Sequence, residues 1–188
     1  MKVAVIGNAP NLSGAKLGES IDKCDKIVRF NDFRIQGFEE DLGSKTTHWC
    51  VSAFAVYHLV YKNAKPCDAN LGGIGELWVQ KQYFNSDGNV AKFVMKYAGV
   101  TVDNVRTYNE EIWNKYMKNF GTTPSNGFMG VMTAMEVFKK AQIFIAGFGD
   151  GAGHYYDPEH PRGGHNFEKE NDVYKYYVKL GDLHFLGE

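Results

Sequence analysis

Charge of one sign is what this sequence lacks first: 21 Lys and Arg stand against 22 Asp and Glu, and the formal net charge at pH 7 is -1. No stretch concentrates basic side chains as a nucleic-acid face requires, so no nucleic-acid partner is expected. Long apolar runs are missing too. No segment approaches the roughly 20 apolar residues of a membrane span, and the first residues show no basic start, apolar run and small-residue cleavage site. A cytoplasmic protein without a membrane segment is the expectation. Cysteine is scarce: Cys24, Cys50 and Cys67 form neither an even set nor a metal-type cluster and read as reduced structural thiols. Internal repeats, low-complexity tracts, the glycine-spaced dinucleotide fingerprint and the Walker loop are absent as well.

What is present is ordinary globular material, 44% hydrophobic and 14% aromatic over 188 residues, enough for one domain spanning residues 1–188. Short branched apolar runs alternate with helical patterns. Lys2 to Ile6 reads as a buried strand that ends at the turn Gly7-Asn8-Ala9-Pro10-Asn11, a short helix from Leu17 to Asp22 follows, and Lys26 to Phe30 is a second strand. Further strands are expected at 46–52, 74–79, 104–108 and 142–146, with helices at 53–61, 88–97, 110–119, 127–139 and 167–180. Such alternation predicts an α/β fold, a mostly parallel sheet with helices on both faces. Its ligand site lies outside the carboxyl ends of the strands.

The loops after strands therefore carry the interest. From Gly147 to Gly164 runs a long irregular segment holding His154, His160 and His165, three histidines in twelve residues. Two readings exist, a zinc site or acid-base and anion chemistry. The lack of a helical His-x3-His pair and the sequence distance of the cysteines count against the metal. In the other reading an imidazole takes a proton from an attacking hydroxyl, while other imidazoles and Tyr hydroxyls donate to a leaving phosphate. Thr122 to Gly127 precedes a long apolar helix and puts Ser125 and Asn126 at its amino-terminal cap, where free amides and the helix dipole bind phosphate without a cation.

The order of these parts matters more than any one of them. The stretch from Val3 to His48 resembles the large sialylmotif of the eukaryotic-type sialyltransferases, glycosyltransferase family 29: Gly7-Asn8 and Asn11-Leu12 match its opening, Ile21-Asp22 and Arg29-Phe30-Asn31 its middle, and Gly37-Phe38-Glu39 and Asp41 to His48 its end. Pro124-Ser125-Asn126-Gly127 through Gly147-Phe148-Gly149 resembles the small motif, His154-Tyr155-Tyr156-Asp157 the third, and His165 with Glu170 the very small motif.

The resemblance implies a GT-A-like, Rossmann-type sheet, a CMP-sialic acid donor, a glycan acceptor, inversion at the anomeric carbon and no metal or other cofactor. By it, His165 is the general base and His154 stabilises the departing phosphate. Asn8, Asn11, Asn31, Ser125, Asn126, Gly127, Gly147 and Tyr155 hold the CMP-sugar, and Glu170 orients local structure. There are departures. Val3 and Phe138 stand where secreted members place a joining cysteine pair, which fits a microbial or viral relative in a reducing compartment. Ala9-Pro10 replaces a small polar residue and Gly, Asn126 replaces a Thr, and the chain is short for the family. A CMP-Kdo donor, or a module that only binds a cytidine nucleotide or sugar acid, is the alternative.

Overall fold

Parallel strands buried on both faces must be apolar along their whole length, because helices cover each side. Lys2–Ile6 (β1), with sequence KVAVI, obeys this: every residue after Lys2 is buried. The computed structural model describes residues 1–52, 74–79, 104–161 and 163–187. Six more strands follow β1: Lys26–Phe30 (β2), His48–Val51 (β3), Glu76–Val79 (β4), Asn104–Thr107 (β5), Gln142–Ala146 (β6) and His184–Phe185 (β7). They form one sheet in the order β5-β4-β3-β2-β1-β6-β7, and every pairing is parallel. β1 therefore sits between the strand that follows it and one far along the chain. This is a topological switch point, and the loops after β1 and β6 leave the sheet side by side.

Five helices are described: Gly18–Asp22 (α1), Glu39–Leu42 (α2), Glu110–Phe120 (α3), Asn126–Val137 (α4) and Phe167–Leu180 (α5). Buried side chains of α3, α4 and α5, among them Trp113, Phe128, Met132 and Tyr174, pack on Val3, Val5, Val28, Phe30 and Cys50 of the sheet. On the opposite face Ile21 and Leu42 pack on Ala4, Ile6 and Ile27 with Tyr155 of the histidine loop. α4 is apolar nearly all round, as a helix buried against a sheet must be. Its Gly130 lets it settle close, since a Cβ there would lie 2.2 Å from the Phe30 ring. Side chains cap the longer helices at their starts: Asn109 accepts from Glu111 and Ile112, Ser125 from Phe128 and Asn166 from Lys169.

The expected strands appear, three with identical limits and three shorter by one to three residues, the usual uncertainty of an end. Helix α2 and strand β7 were not expected. The first is a single turn without a side-chain cap, and the second is two residues set on Phe144 and Ile145 of β6. Neither is long enough to show a period. The helices expected at 53–61 and 88–97, and Cys67, lie outside the described residues. Cys24 and Cys50 are buried and free.

Candidate active site

At the carboxyl end of β1 the backbones of two loops touch. Gly7 donates its amide to Ala146 at 2.8 Å and Ala9 donates to Gly147 at 2.9 Å. A Cβ on Gly7 would fall 2.2 Å from the Gly147 oxygen, so Gly147 serves this junction through its backbone. The next residue, Asn8, donates from Nδ2 to the Phe30 carbonyl at 3.1 Å, while its Oδ1 is buried with no partner among the described residues. Its own carbonyl accepts from the Tyr155 amide at 3.0 Å, which brings the histidine loop to the first strand.

β2 delivers Asn31 to the same edge in a left-handed conformation, φ 53°, one that Asn tolerates. Its Oδ1 accepts from Ser52 N at 3.0 Å and from Asn126 Nδ2 at 3.1 Å. Asn126 Oδ1 in turn accepts from the Tyr108 hydroxyl at 2.6 Å. Three strand ends and the start of α4 are thus tied into one polar network. Ser125, the α4 cap, receives Phe128 N on its Oγ and gives that hydroxyl's proton to Glu170. The amides of Asn126 and Gly127 have no acceptor among the described residues, so a free amide pair points outward at the positive end of a helix.

Glu170 itself is 2% exposed. Burial raises its pKa, against the bonds from Ser125 and the neighbouring His165, which lower it. Five residues earlier, His165 places Nδ1 2.8 Å from the Thr123 carbonyl. A carbonyl can only accept, so Nδ1 carries a hydrogen, and in the neutral ring Nε2 then keeps its lone pair. Thr122 Oγ1 donates to Gly164 O at 3.0 Å from the same segment. The approach to α4 and the approach to α5 are therefore laced together, and they carry an imidazole in the tautomer of a general base.

His154 is held differently. A two-residue bridge with Asp157 fixes its backbone, and the His160 ring stacks on it at 3.8 Å between centroids. Burial, then the neighbouring His160, lower its pKa to about 4, against the pull of Asp32 and Asp157. It is neutral at pH 7. The Tyr155 hydroxyl engages the backbone of Arg34 as donor to its carbonyl and acceptor from its amide, while Tyr156 reaches Asp32 Oδ1 at 2.7 Å.

Most residues singled out in the sequence come together here: Asn8, Asn31, Ser125, Asn126, Tyr155, His165 and Glu170 take part in the bonds above, and Gly127 follows Asn126 in α4. Asn11 makes none of these bonds. It is exposed on a 3₁₀ turn and lines, with Gly147, Leu12, Leu17 and Phe185, a cleft of about 430 Å³ that none of the histidines enters. Tyr108, Thr123 and Asp32 were not singled out. Two act through a buried hydroxyl and a main-chain carbonyl, neither of which has a sequence signature, and Asp32 gains its partner 124 residues away.

Against known proteins, the profile of Glycosyltransferase family 29 (sialyltransferase) matches residues 1–181. The chain belongs to this family. It is 28% identical over 161 residues to CMP-N-acetylneuraminate-beta-galactosamide-alpha-2,3-sialyltransferase 1 of Gallus gallus, covering 82% of this chain and 46% of that one. With sialyltransferase 2 of the same description from Mus musculus it is 28% identical over 164 residues, 79% of this chain and 43% of the other. The chain thus spans less than half the length of these two relatives. The fold is shared with a mammalian sialyltransferase crystallised with Gal-beta-1-3GalNAc-ortho-nitrophenol, at TM-score 0.70 and 20% identity over 100% of this chain and 70% of that one. It is shared also with the sialyltransferase CstII from Campylobacter jejuni, at TM-score 0.56 and 17% identity over 98% and 81%.

Val3 and Phe138 are the residues that stand where the resemblance implies a joining cysteine pair. Both lie in the larger core cluster. Phe138 packs on His48 and Trp78, with ring centroids 5.5 and 6.1 Å away. Among the described residues no helix is long and apolar enough to cross a membrane.

Proposed function

We propose that this family 29 chain is an inverting sialyltransferase-like enzyme that moves a sialic acid, or a related ulosonic acid, from a CMP-sugar to a glycan hydroxyl without a metal ion. The observation that carries the reading is His165, hydrogen-bonded through Nδ1 to Thr123 O at 2.8 Å with Nε2 free. In the reaction Nε2 takes the proton of the acceptor hydroxyl as its oxygen bonds the anomeric carbon. The bond from that carbon to the phosphate oxygen breaks, its electron pair stays on the phosphate, and CMP departs as a monoester. The free amides at the α4 start and the neutral His154 face the growing negative charge as hydrogen-bond donors. Asn8 and Asn31 hold the nucleotide, and Glu170 secures the Ser125 cap. The names of the relatives support this donor class and a galactoside-type acceptor. The free thiols and the replaced cysteine pair support a reducing, cytoplasmic setting.

The test is a transfer assay in EDTA, followed by mass spectrometry. It offers CMP-sialic acid or CMP-Kdo with a panel of galactosides, beside His165→Ala. The proposal expects product that falls by roughly 10²- to 10⁴-fold in the variant while CMP binding persists. CMP binding without transfer or donor hydrolysis would make the chain a binding module instead. A rate that EDTA abolishes and a divalent cation restores would overturn the metal-free mechanism.

A further inference from the structure

His154 is enclosed by two rings, yet only one of them is anchored to another part of the fold. On one side His160 stacks at 3.8 Å between centroids, but its ion partner Asp157, at 3.6 Å, belongs to the same loop. On the other side lies Tyr156, with ring centroids 5.1 Å apart and planes inclined by 47°. The Tyr156 hydroxyl leaves the loop and donates to Asp32 Oδ1 at 2.7 Å, at the carboxyl end of β2 and one residue beyond Asn31. Arg34 braces the other carboxylate oxygen, with Nη2 3.9 Å from Oδ2, and lies 5.7 Å over the Tyr156 ring. His154 makes no comparable bond itself, since its Nδ1 is buried without a partner among the described residues. The orientation of its ring rests on packing, and of the two rings packed on it Tyr156 is the one bonded to Asp32. Asp32 lies within the stretch that resembles the large motif, but the resemblance assigns it no role.

We propose that Asp32 is a positioning residue of the transfer: through the Tyr156 phenol it fixes the ring of His154 toward the donor phosphate. This rests on the role given to His154 above. The residues at the two ends of the tether are joined by one hydrogen bond, so losing either end loses that bond, and Asp32→Ala releases Arg34 as well. Tyr156→Phe and Asp32→Ala each remove the bond while sparing His154, and the double variant removes nothing more. Asp32→Asn keeps an acceptor oxygen for the phenol.

The experiment measures steady-state kinetics for wild type, Tyr156→Phe, Asp32→Ala, the double variant and Asp32→Asn. It also records the imidazole signals of His154 by nitrogen NMR, with and without CMP, in variants shown by thermal melting to be folded. The expected result is a fall in kcat of roughly 10- to 100-fold in each single variant with little change in donor KM. The double variant should be no slower than the worse single one, and Asp32→Asn should keep most of the rate. His154 signals should shift in the first three variants and stay in place in Asp32→Asn. Unchanged His154 signals in Tyr156→Phe, or rate losses that multiply in the double variant, would overturn the proposal. Wild-type His154 signals that ignore CMP would instead overturn the phosphate role of His154, while the variants still decide whether Asp32 holds the ring.

Discussion

Both carboxylate oxygens of Glu170 end on Ser125: Oε1 accepts from its backbone amide at 2.6 Å and Oε2 from its hydroxyl at 2.7 Å. The residues are 45 apart in sequence, and the pair joins the start of α5 to the cap of α4. The carboxylate spends its acceptors on one residue so that the Asn126 and Gly127 amides stay open.

Glu170→Ala would strand the half-buried Ser125 amide, a loss of about 1–3 kcal/mol. Urea unfolding should show that loss, and calorimetry should show weaker CMP binding. Glu170→Gln should recover part of it, because one amide oxygen still accepts. A CMP affinity equal to wild type in a destabilised Glu170→Ala protein would show that the cap does not serve the ligand.

Acid should loosen this protein before its carboxylates titrate. Burial lowers the pKa of His48 from 6.5 to about 4, more than Glu76 at 3.4 Å restores, and His154 is depressed in the same direction. A base depressed in the fold is neutral in both states above its unfolded pKa, so its stability contribution is complete there. Below about 6.5 the unfolded chain takes the proton and the folded chain does not. Stability therefore falls with pH down to about 4 and levels off beyond. His48 is 5% exposed, and its share between pH 7 and pH 5 is about 2 kcal/mol. Urea titrations at the two pH values should show a smaller difference for His48→Gln than for wild type. Equal differences would contradict the burial argument.

Much of the fold was legible because parallel strands announce themselves as solid apolar runs. KVAVI and QIFIA could hardly be anything else, and β1, β2 and β6 have the limits read from them. The side chains that gather at the strand ends could be named from the sequence, and their backbone partners could not. Nothing in the sequence says that Thr123 offers a carbonyl to His165, or that the Tyr155 hydroxyl is engaged by the Arg34 main chain. Tyr155 and Tyr156 look alike in a chain of letters. Only packing separates the one that sits in the core from the one that reaches Asp32.

The contact between the first and sixth strand loops gives two glycines different consequences. At Gly7 a Cβ would strike the Gly147 oxygen at 2.2 Å and its carbon at 2.9 Å, both backbone. At Gly14, φ 76°, a Cβ meets nothing within 4 Å. Gly14→Ala should cost about 1–2 kcal/mol, the left-handed backbone term alone. Gly7→Ala should cost more, because the two strand ends must part, and it should weaken CMP binding through Asn8. Chemical denaturation of both variants checks the order, and a Gly7→Ala protein as stable as Gly14→Ala would refute the close approach.

The last expectation concerns which way an amide faces. Tyr108, 3% exposed, donates its hydroxyl proton to the Asn126 side-chain oxygen at 2.6 Å. Asn126 then directs its Nδ2 hydrogens to Asn31 Oδ1 and Cys50 O, at 3.1 and 3.3 Å. Asn31 Oδ1 is thereby occupied, also by Ser52 N, and the Asn31 Nδ2 hydrogens are left without an acceptor among the described residues. The Cys50 carbonyl can only accept and the Ser52 amide can only donate, so these two fix which way both amides face, and the phenol adds the bond that steadies Asn126 between them. Tyr108→Phe keeps the ring but leaves Asn126 held only through its Nδ2. It should lose about 1–3 kcal/mol for the orphaned oxygen and raise donor KM more than it lowers kcat. If the variant loses stability with donor KM unchanged, the Asn31 orientation is set by Ser52 alone.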